Sequence, residues 1–400
     1  MRIAYIAPYQ GESLLKSRPI VTNRSLANSV KIELIAGLLS AQKHEVEIIS
    51  QGEVVELKCK WYPSFRESEP FHPDIPIYYA SALPIRFLNG LWSSRRMLDL
   101  FKLRHQRSPY DLVIIYNLKL PQIACADYAM RRLSLPVVFE YEDDAFVNIV
   151  GKEEAKARTP FGGDISKLFS MVAGCMAVSP RLLSQLPDNI PKLLLRGVIG
   201  HDLMQSSEQM KTVKKNWVLF SGTHYRSKGI KQLIAAWREL SMPDWELHIT
   251  GYGELTNILQ KMVGNDPTIV FHGLVSRQEL VRIMCSAKVC INPHDISQVP
   301  GNVFAFKIIE YIAAGAHVVS TPMGALEEEM ESGVTYIPDN KTETIAAALK
   351  QVILDATWRR TARQYVLDMY GPQSISKKLE MLLQQASAYH CFVRKRVGYQ

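Results

Sequence analysis

The sequence predicts an α/β protein built from two doubly wound, Rossmann-like domains. Apolar runs of strand length alternate with segments of helical period, and the alternation starts afresh near the middle of the chain. The length of 400 residues adds a third reason, since it exceeds what one hydrophobic core usually serves.

In the first half, "RIAYIAPY" reads as a strand, followed by a long polar loop through Asn28. A helix follows from about Ser29 to Ala41, with Val30, Leu34, Gly37, Leu38 and Ala41 on one face. Further strands are "HEVEIIS", "DLVIIYN" (Asp111 to Asn117), "PVVFEYE" (Pro136 to Glu142) and "GCMAVS" (Gly174 to Ser179). Helical segments separate them, which implies a parallel sheet.

The second half repeats the scheme. Its strands are "NWVLFSG", "WELHITGYG", "TIVFHG", "KVCINP" and "HVVSTP". The helices between are "KGIKQLIAAWREL", "LTNILQKMV", "SRQELVRIMCSA" and the alanine-rich segment before Gly315. The seam falls in "KLLLRGVIGHDL", Lys192 to Leu203. The expected domains are 1–195, 196–371 and a last helix, 372–400, that returns to the first domain after the Gly371-Pro372 break.

Composition excludes several classes. Hydrophobic residues are 47% and charged residues 22%, as in an ordinary globular protein. The net charge of +8 is a mild excess, and no basic run interleaved with aromatics and no zinc-finger spacing points to nucleic acid. The six cysteines form no CxxC pair; Cys285, Cys290 and His294 read as a buried strand rather than a metal site. Few unpaired cysteines suit a reducing cytosol. The apolar run at the N-terminus is too short for a signal peptide, and no stretch is long enough to span a membrane.

Ligands of such sheets bind at the carboxyl ends of the strands, so the residues there are the candidates. Gly222 ends one strand, and Arg226 and Lys228 follow before a helix begins near Gly229. Cations beside a helix start suit an anion. Gly251 and Gly253 lie at the next strand end, where backbone can approach a ligand. His272-Gly273 ends a third, and Ser276 with Glu279 reads as a capping box. Pro300, Gly301 and Asn302 precede a helix whose first N–H groups lack internal partners. Glu310 lies about two turns into that mostly apolar helix, and Gly315 ends it as a left-handed cap. Such a carboxylate can accept from paired hydroxyls, as on a ribose, or simply pair with Lys307 one turn earlier.

In this order, "SGTHYRSKGIKQLI", "WELHITGYGE", "IVFHGLVSRQEL", "CINPH" and "FAFKIIEYIAAGAHVVSTPMGALEEEM" resemble the nucleotide-sugar-binding half of the GT-B glycosyltransferases, in particular the retaining family 4. The first half resembles that family more loosely, through "RIAYIAPY", "KHEVEIIS" and "CMAVS".

The resemblance implies a GT-B fold of two facing Rossmann-like domains with an interdomain cleft. It implies a retaining, metal-independent transfer of sugar from a UDP- or GDP-linked donor to a glycan or lipid-linked glycan, with no separate cofactor. Lys228 matches the residue on the donor diphosphate and Glu310 the ribose-binding carboxylate of the E-x7-E motif. Arg226 and Asn302 complete the catalytic set. Gly222, Thr223, Gly251, Gly253, His272, Gly301, Val303 and Phe304 line the donor. Two positions depart from the family: Asn302 replaces the first carboxylate of E-x7-E, and Thr223 replaces an arginine. They keep open a non-catalytic nucleotide-sugar-binding subunit, and a sugar 2-epimerase shares the fold. A metal-dependent GT-A enzyme fits less well, because a second Rossmann half follows the acidic motif.

The acceptor side falls to the first domain: Gln10, Asn117, and Asp143 and Asp144 of "FEYEDDAF", which also read as a solvated acidic loop. Between Pro84 and Arg107 six Lys or Arg face one Asp, with Phe87, Leu91, Leu98 and Phe101 at helical spacing and Trp92 beside them. That stretch packs on its own sheet or rests on an anionic membrane. The expected location is cytoplasmic, possible membrane contact being peripheral.

Overall fold

The computed structural model describes residues 1–18, 26–52, 60–85, 89–142, 168–209, 214–297, 304–323, 328–355 and 361–397. The chain divides into two compact units, Met1–Val198 with Ile375–Gln400, and Ile199–Ser374.

The first unit holds β1 (Arg2–Ile6), β2 (Glu45–Ser50), β3 (Phe65–Arg66), β4 (Ile77–Tyr79), β5 (Leu112–Tyr116), β6 (Val137–Tyr141), β7 (Gly174–Ala177) and β8 (Lys192–Leu194). They form one sheet in the order β3-β4-β2-β1-β5-β6-β7-β8. All pairings are parallel except β3 with β4. The central strands β5 and β6 are buried at every position, as expected where helices cover both faces of a parallel sheet. Its helices are α1 (Glu12–Ser17), α2 (Leu26–Ala41), α3 (Asn89–Arg107), α4 (Leu120–Arg131) and α5 (Pro180–Ser184).

Three features differ from expectation. The segment read as a loop contains α1, which is too short to show a period. Tertiary contacts hold it: Ser13 N donates to Glu67 Oε1 at 3.0 Å and Leu14 is buried. The short strands β3 and β4 have no sequence signature of their own, and their register comes from pairing with the edge of β2. Lys192–Leu194, read as part of the seam, pairs with β7 as the last strand of this sheet.

In α3, Leu98 and Phe101 are buried, while Leu91 is exposed; Phe87 lies outside the described residues. Arg104 pairs with Glu47 at 2.7 Å, so this basic helix spends part of its charge inside its own unit.

The second unit holds β9 (Lys215–Ser221), β10 (Glu246–Thr250), β11 (Ile269–Gly273), β12 (Ala287–Asn292), β13 (His317–Ser320) and β14 (Val334–Tyr336). Their order is β11-β10-β9-β12-β13-β14 and every pairing is parallel. Its helices are α6 (His201–Gln209), α7 (Ile230–Leu240), α8 (Thr256–Val263), α9 (Arg277–Ser286), α10 (Lys307–Ala313), α11 (Glu328–Glu331), α12 (Thr342–Leu354) and α13 (Thr361–Tyr370). Val218, Phe220, Leu247, Ile249, Val289 and Ile291 pack with Leu233, Trp237 and Leu349 into its core.

α10 begins at Lys307, so Glu310 stands in its first turn rather than two turns in. Gly315 follows with φ 76°, the left-handed stop its position predicts. The last helix, α14 (Pro372–Val397), puts Ile375, Leu379, Leu382, Leu383 and Ala386 into the core of the first unit, with Ile3, Leu112 and Met176. Among the described residues no helix is long and apolar enough to cross a membrane.

Candidate active site

The carboxyl end of β9 opens onto Gly222, then onto the single 3₁₀ turn Arg226–Lys228 that leads into α7. Lys228 Nζ donates to His294 Nε2 at 2.7 Å. An ammonium has no acceptor, so His294 is the tautomer with its proton on Nδ1. Burial first, then Lys307 and Lys228, push the His294 pKa down to about 2, so the ring stays neutral. Its Nδ1 is buried and has no hydrogen-bond partner among the described residues. Burial also lowers the Lys228 pKa.

Lys307 enters from α10. Its Nζ donates to Ser221 O at 3.0 Å and lies 5.2 Å from the centre of the Phe220 ring. Burial, reinforced by Lys228 and opposed by Glu310, lowers its pKa to about 7. Tyr311, next on the helix face, accepts from Ser221 N through its hydroxyl at 3.1 Å. Two cations thus gather at one strand end.

Glu310 does not pair with Lys307. Its Oε1 accepts from Arg277 Nη1 at 2.7 Å, and Arg277 Nε donates to Asp202 Oδ2 at 2.8 Å. Burial works against the Arg277 charge, but Glu310 and Asp202 outweigh it and raise its pKa. The sequence did carry a signal for Arg277: a cation at the first position of a helix opposes the macrodipole, so another interaction must hold it. Lys307 carried one too, as a charge inside the apolar run "FAFKIIEYIAAG".

The other candidates divide. Arg226 is exposed, and it is Lys307 rather than Arg226 that acts electrostatically on Lys228's neighbours. Gly251 has φ 114°, and a Cβ there would overlap the Gly222 carbonyl oxygen; a Cβ at Gly253 would crowd the His224 backbone. These glycines therefore let two strand-end loops pack on each other, a use that the expectation of ligand approach did not include. Thr223 is half-buried and Phe304 buried. His272 turns to a neighbouring strand: its Nε2 shares a hydrogen bond of 2.8 Å with His248 Nδ1, and His248 stacks on Trp217. The His272 Nε2 is thus engaged within the sheet. Ser276 caps α9 by accepting from Glu279 N at 3.2 Å, but the Glu279 carboxylate pairs with Arg282, so only half of the capping box forms. Gly301, Asn302 and Val303 lie outside the described residues. No group of three or more His, Cys, Asp or Glu that could hold a metal occurs among the described residues.

In the first unit, Asn117 has φ 53°, and its Oδ1 accepts from Glu142 N at 2.8 Å; its oxygen shapes the end of β6. The backbone N of Gln10 donates to Ser29 Oγ at 3.1 Å. Asp143 and Asp144 lie outside the described residues. At the end of β6 sits a buried charge cluster that sequence reasoning missed. Lys31 pairs with Glu142 and lies 3.7 Å from Glu140 Oε1, while Tyr5 donates its hydroxyl to Glu140. Burial, partly offset by Lys31 and reinforced by Glu142, raises the Glu140 pKa to about 8.

Residues 215–355 match the family described as Glycosyl transferases group 1. Among solved structures, the chain is similar to a sucrose-phosphate synthase from Thermosynechococcus elongatus, with 16% identity, a TM-score of 0.70, and 97% of this chain and 99% of that one covered. It is similar to Anabaena HepE in complex with UDP and glucose, with 13% identity, a TM-score of 0.61, and 96% and 99% covered. A third similar structure is described as a UDP-N-acetylglucosamine 2-epimerase from Listeria monocytogenes, with 12% identity, a TM-score of 0.58, and 96% and 95% covered. A sequence comparison with curated proteins finds no match. The fold is that of the GT-B glycosyltransferases, and the second unit carries the match to the group 1 family.

Proposed function

We propose that the protein is a glycosyltransferase. It moves a sugar from a nucleoside diphosphate sugar, UDP- or GDP-linked, to a hydroxyl of a glycan or lipid-linked glycan. The observation that carries this reading is the pairing of Lys228 with a neutral His294 at the carboxyl end of β9, inside the segment that matches the group 1 family. In this reading Lys228 takes the donor diphosphate and stabilises it as it leaves. Glu310 Oε1 belongs to Arg277, which leaves Oε2 to accept the ribose hydroxyls. In this reading Gly222, Thr223 and Phe304 line the site, and Asn302 is assigned to the donor sugar only by the resemblance of the E-x7-E motif.

Transfer with retention needs no carboxylate nucleophile here: the leaving diphosphate oxygen takes the acceptor proton. The cations supply the charge that a metal would otherwise supply. Incubation with labelled UDP-, GDP- and ADP-sugars, with and without hydroxyl acceptors, tests this. A labelled glycoside with the donor's anomeric configuration is expected; an inverted product removes retention, and product loss on chelation removes metal independence.

The likeness to a 2-epimerase favours a second reading. An epimerase would change the nucleotide sugar in the absence of any acceptor, whereas a non-catalytic subunit would bind it unchanged. On the acceptor side, the exposed edge of α3, with Leu91, Arg95 and Arg96, rests on anionic membrane in this reading. Salt-sensitive sedimentation with anionic vesicles is expected, and no binding at low salt ends that part of the proposal.

A further inference from the structure

Lys307 stands where the second unit gathers positive charge, and among the described residues no carboxylate forms an ion pair with it. Its Nζ is 3.0 Å from the place a Cβ at Gly222 would occupy, at the strand end where a parallel sheet takes its ligand. The charged and titratable groups facing it come from several elements. Lys228, on the 3₁₀ turn before α7, repels it. His294, after β12, is neutral and holds Lys228. Tyr311, on its own helix, shares the Ser221 backbone and stays un-ionised because burial raises its pKa. Glu310, also on its own helix, is the carboxylate that favours its charge, but Arg277 from α9 already neutralises Glu310, and Asp202 from α6 shares Arg277.

Two partly buried ammonium groups, neither paired with a carboxylate among the described residues, are unfavourable. The unpartnered, buried Nδ1 of His294 is a second polar position beside them that the protein leaves unsatisfied. Both observations point to an anion that arrives from outside.

We propose that Lys307 binds the donor's diphosphate directly and takes up a proton as the diphosphate enters, so that donor capture is coupled to proton uptake. The proposal rests on the donor reading given above and adds a ligand and a linkage to it. Without donor, burial and Lys228 leave Lys307 partly neutral near pH 7. The entering diphosphate reverses that balance, because an opposite charge at contact favours the ammonium. The proton comes from the buffer and forms the third N–H of the ammonium; no other bond changes. The free-state pKa lies below the bound-state pKa, so affinity is greatest below about pH 7 and falls as pH rises, by up to about one log unit per pH unit.

A nucleotide sugar is the right probe, since both its phosphates are diesters and neither titrates near neutrality. Calorimetry of UDP-glucose, GDP-mannose and ADP-glucose binding is run near pH 6 and near pH 8.5, each in two buffers of different ionisation enthalpy. The wild type should take up roughly one proton per donor near the upper pH and almost none near the lower. Lys307→Met should bind at least about tenfold more weakly near pH 6 and take up no proton. Lys307→Arg, charged at every pH used, should bind with no uptake and little pH dependence. If Lys307→Met keeps wild-type affinity, or keeps the wild-type uptake, Lys307 is not a ligand and the donor reading stands without it. If the wild type binds no nucleotide sugar at either pH, both readings fall.

Discussion

Each unit brings lysine to the carboxyl ends of its parallel strands, buried in the first and half-buried in the second, and they balance it in opposite ways. In the first, Lys31 sits between Glu140 and Glu142, with Tyr5 donating to Glu140. One carboxylate is in excess, and burial resolves the excess by protonation, raising Glu140 to about 8. In the second, Lys228 and Lys307 share a strand end with a neutral histidine, and the nearby carboxylate Glu310 is held by Arg277. Here the excess is positive, and burial meets it by lowering Lys307 to about 7. The first cluster supplies both signs of charge from its own side chains, although Glu140 Oε1 lacks a hydrogen-bond partner among the described residues, and reads as part of the scaffold. The second gathers two cations around a neutral histidine, and under the proposal above an anion completes it.

The largest effect should come from Lys228. In the proposed enzyme, Lys228→Ala should lower turnover by about 100-fold or more, the scale for losing one donor to a developing anion. Turnover of the labelled donor within about twofold of wild type would place the positive cluster outside the chemistry and erase the contrast between the units.

Glu310→Gln comes next. Losing the charge should weaken nucleoside diphosphate binding by about 1–3 kcal/mol, the range for a hydrogen bond to a charged group. It should also lower thermal stability, because Arg277 keeps only Asp202. Unchanged affinity by calorimetry in a folded variant makes Glu310 a scaffold residue, like Glu140.

Lys307→Met should raise the stability of the donor-free protein near pH 7 by about 1–3 kcal/mol, since an apolar side chain replaces an uncompensated buried charge. The folded pKa of about 7 lies below the ordinary 10.5. Between them the unfolded chain holds more protons, so wild-type stability rises with pH across that window. The variant should lack this rise. Urea titrations near pH 7 and near pH 9.5 measure it, and parallel pH dependence in the two proteins contradicts the assigned burial.

Glu140→Gln should give the smallest effect, about 1 kcal/mol, with the opposite sign of pH dependence. The folded pKa of about 8 lies above the ordinary 4.5, so the folded chain holds more protons between them. Wild-type stability should fall as pH rises through that window, and the variant should be flatter and the more stable of the two above about pH 8. Donor affinity should not change. A variant that binds donor less tightly would show that the first cluster is not self-contained.

The alternation of buried strands and amphipathic helices was legible because it repeats over many residues, and the order of strand-end motifs in the second half rests on the same repetition. What was not legible is short or non-local. The six residues of α1 carry too little periodicity, and β3 and β4 exist because β2 offers them an edge. Arg277 and Glu310 are 33 positions apart, and no local rule joins them. Spacing on one helix offered Lys307 as one of two partners for Glu310, the other being a ribose, yet the fold turns its ammonium to the Ser221 carbonyl.

By itself the sequence determined the two α/β halves, the turn after β9 that carries Lys228, and the helix that carries Glu310. Side-chain period and backbone preference act over neighbouring residues, so these features are written locally. Only the tertiary structure decided which charges meet. It set Lys228 against His294, gave Glu310 to Arg277, and turned Lys307 to the Ser221 carbonyl. The physical reason is that a buried charge is governed by the groups within a few ångströms, and the packing of separate strands and helices brings those groups together.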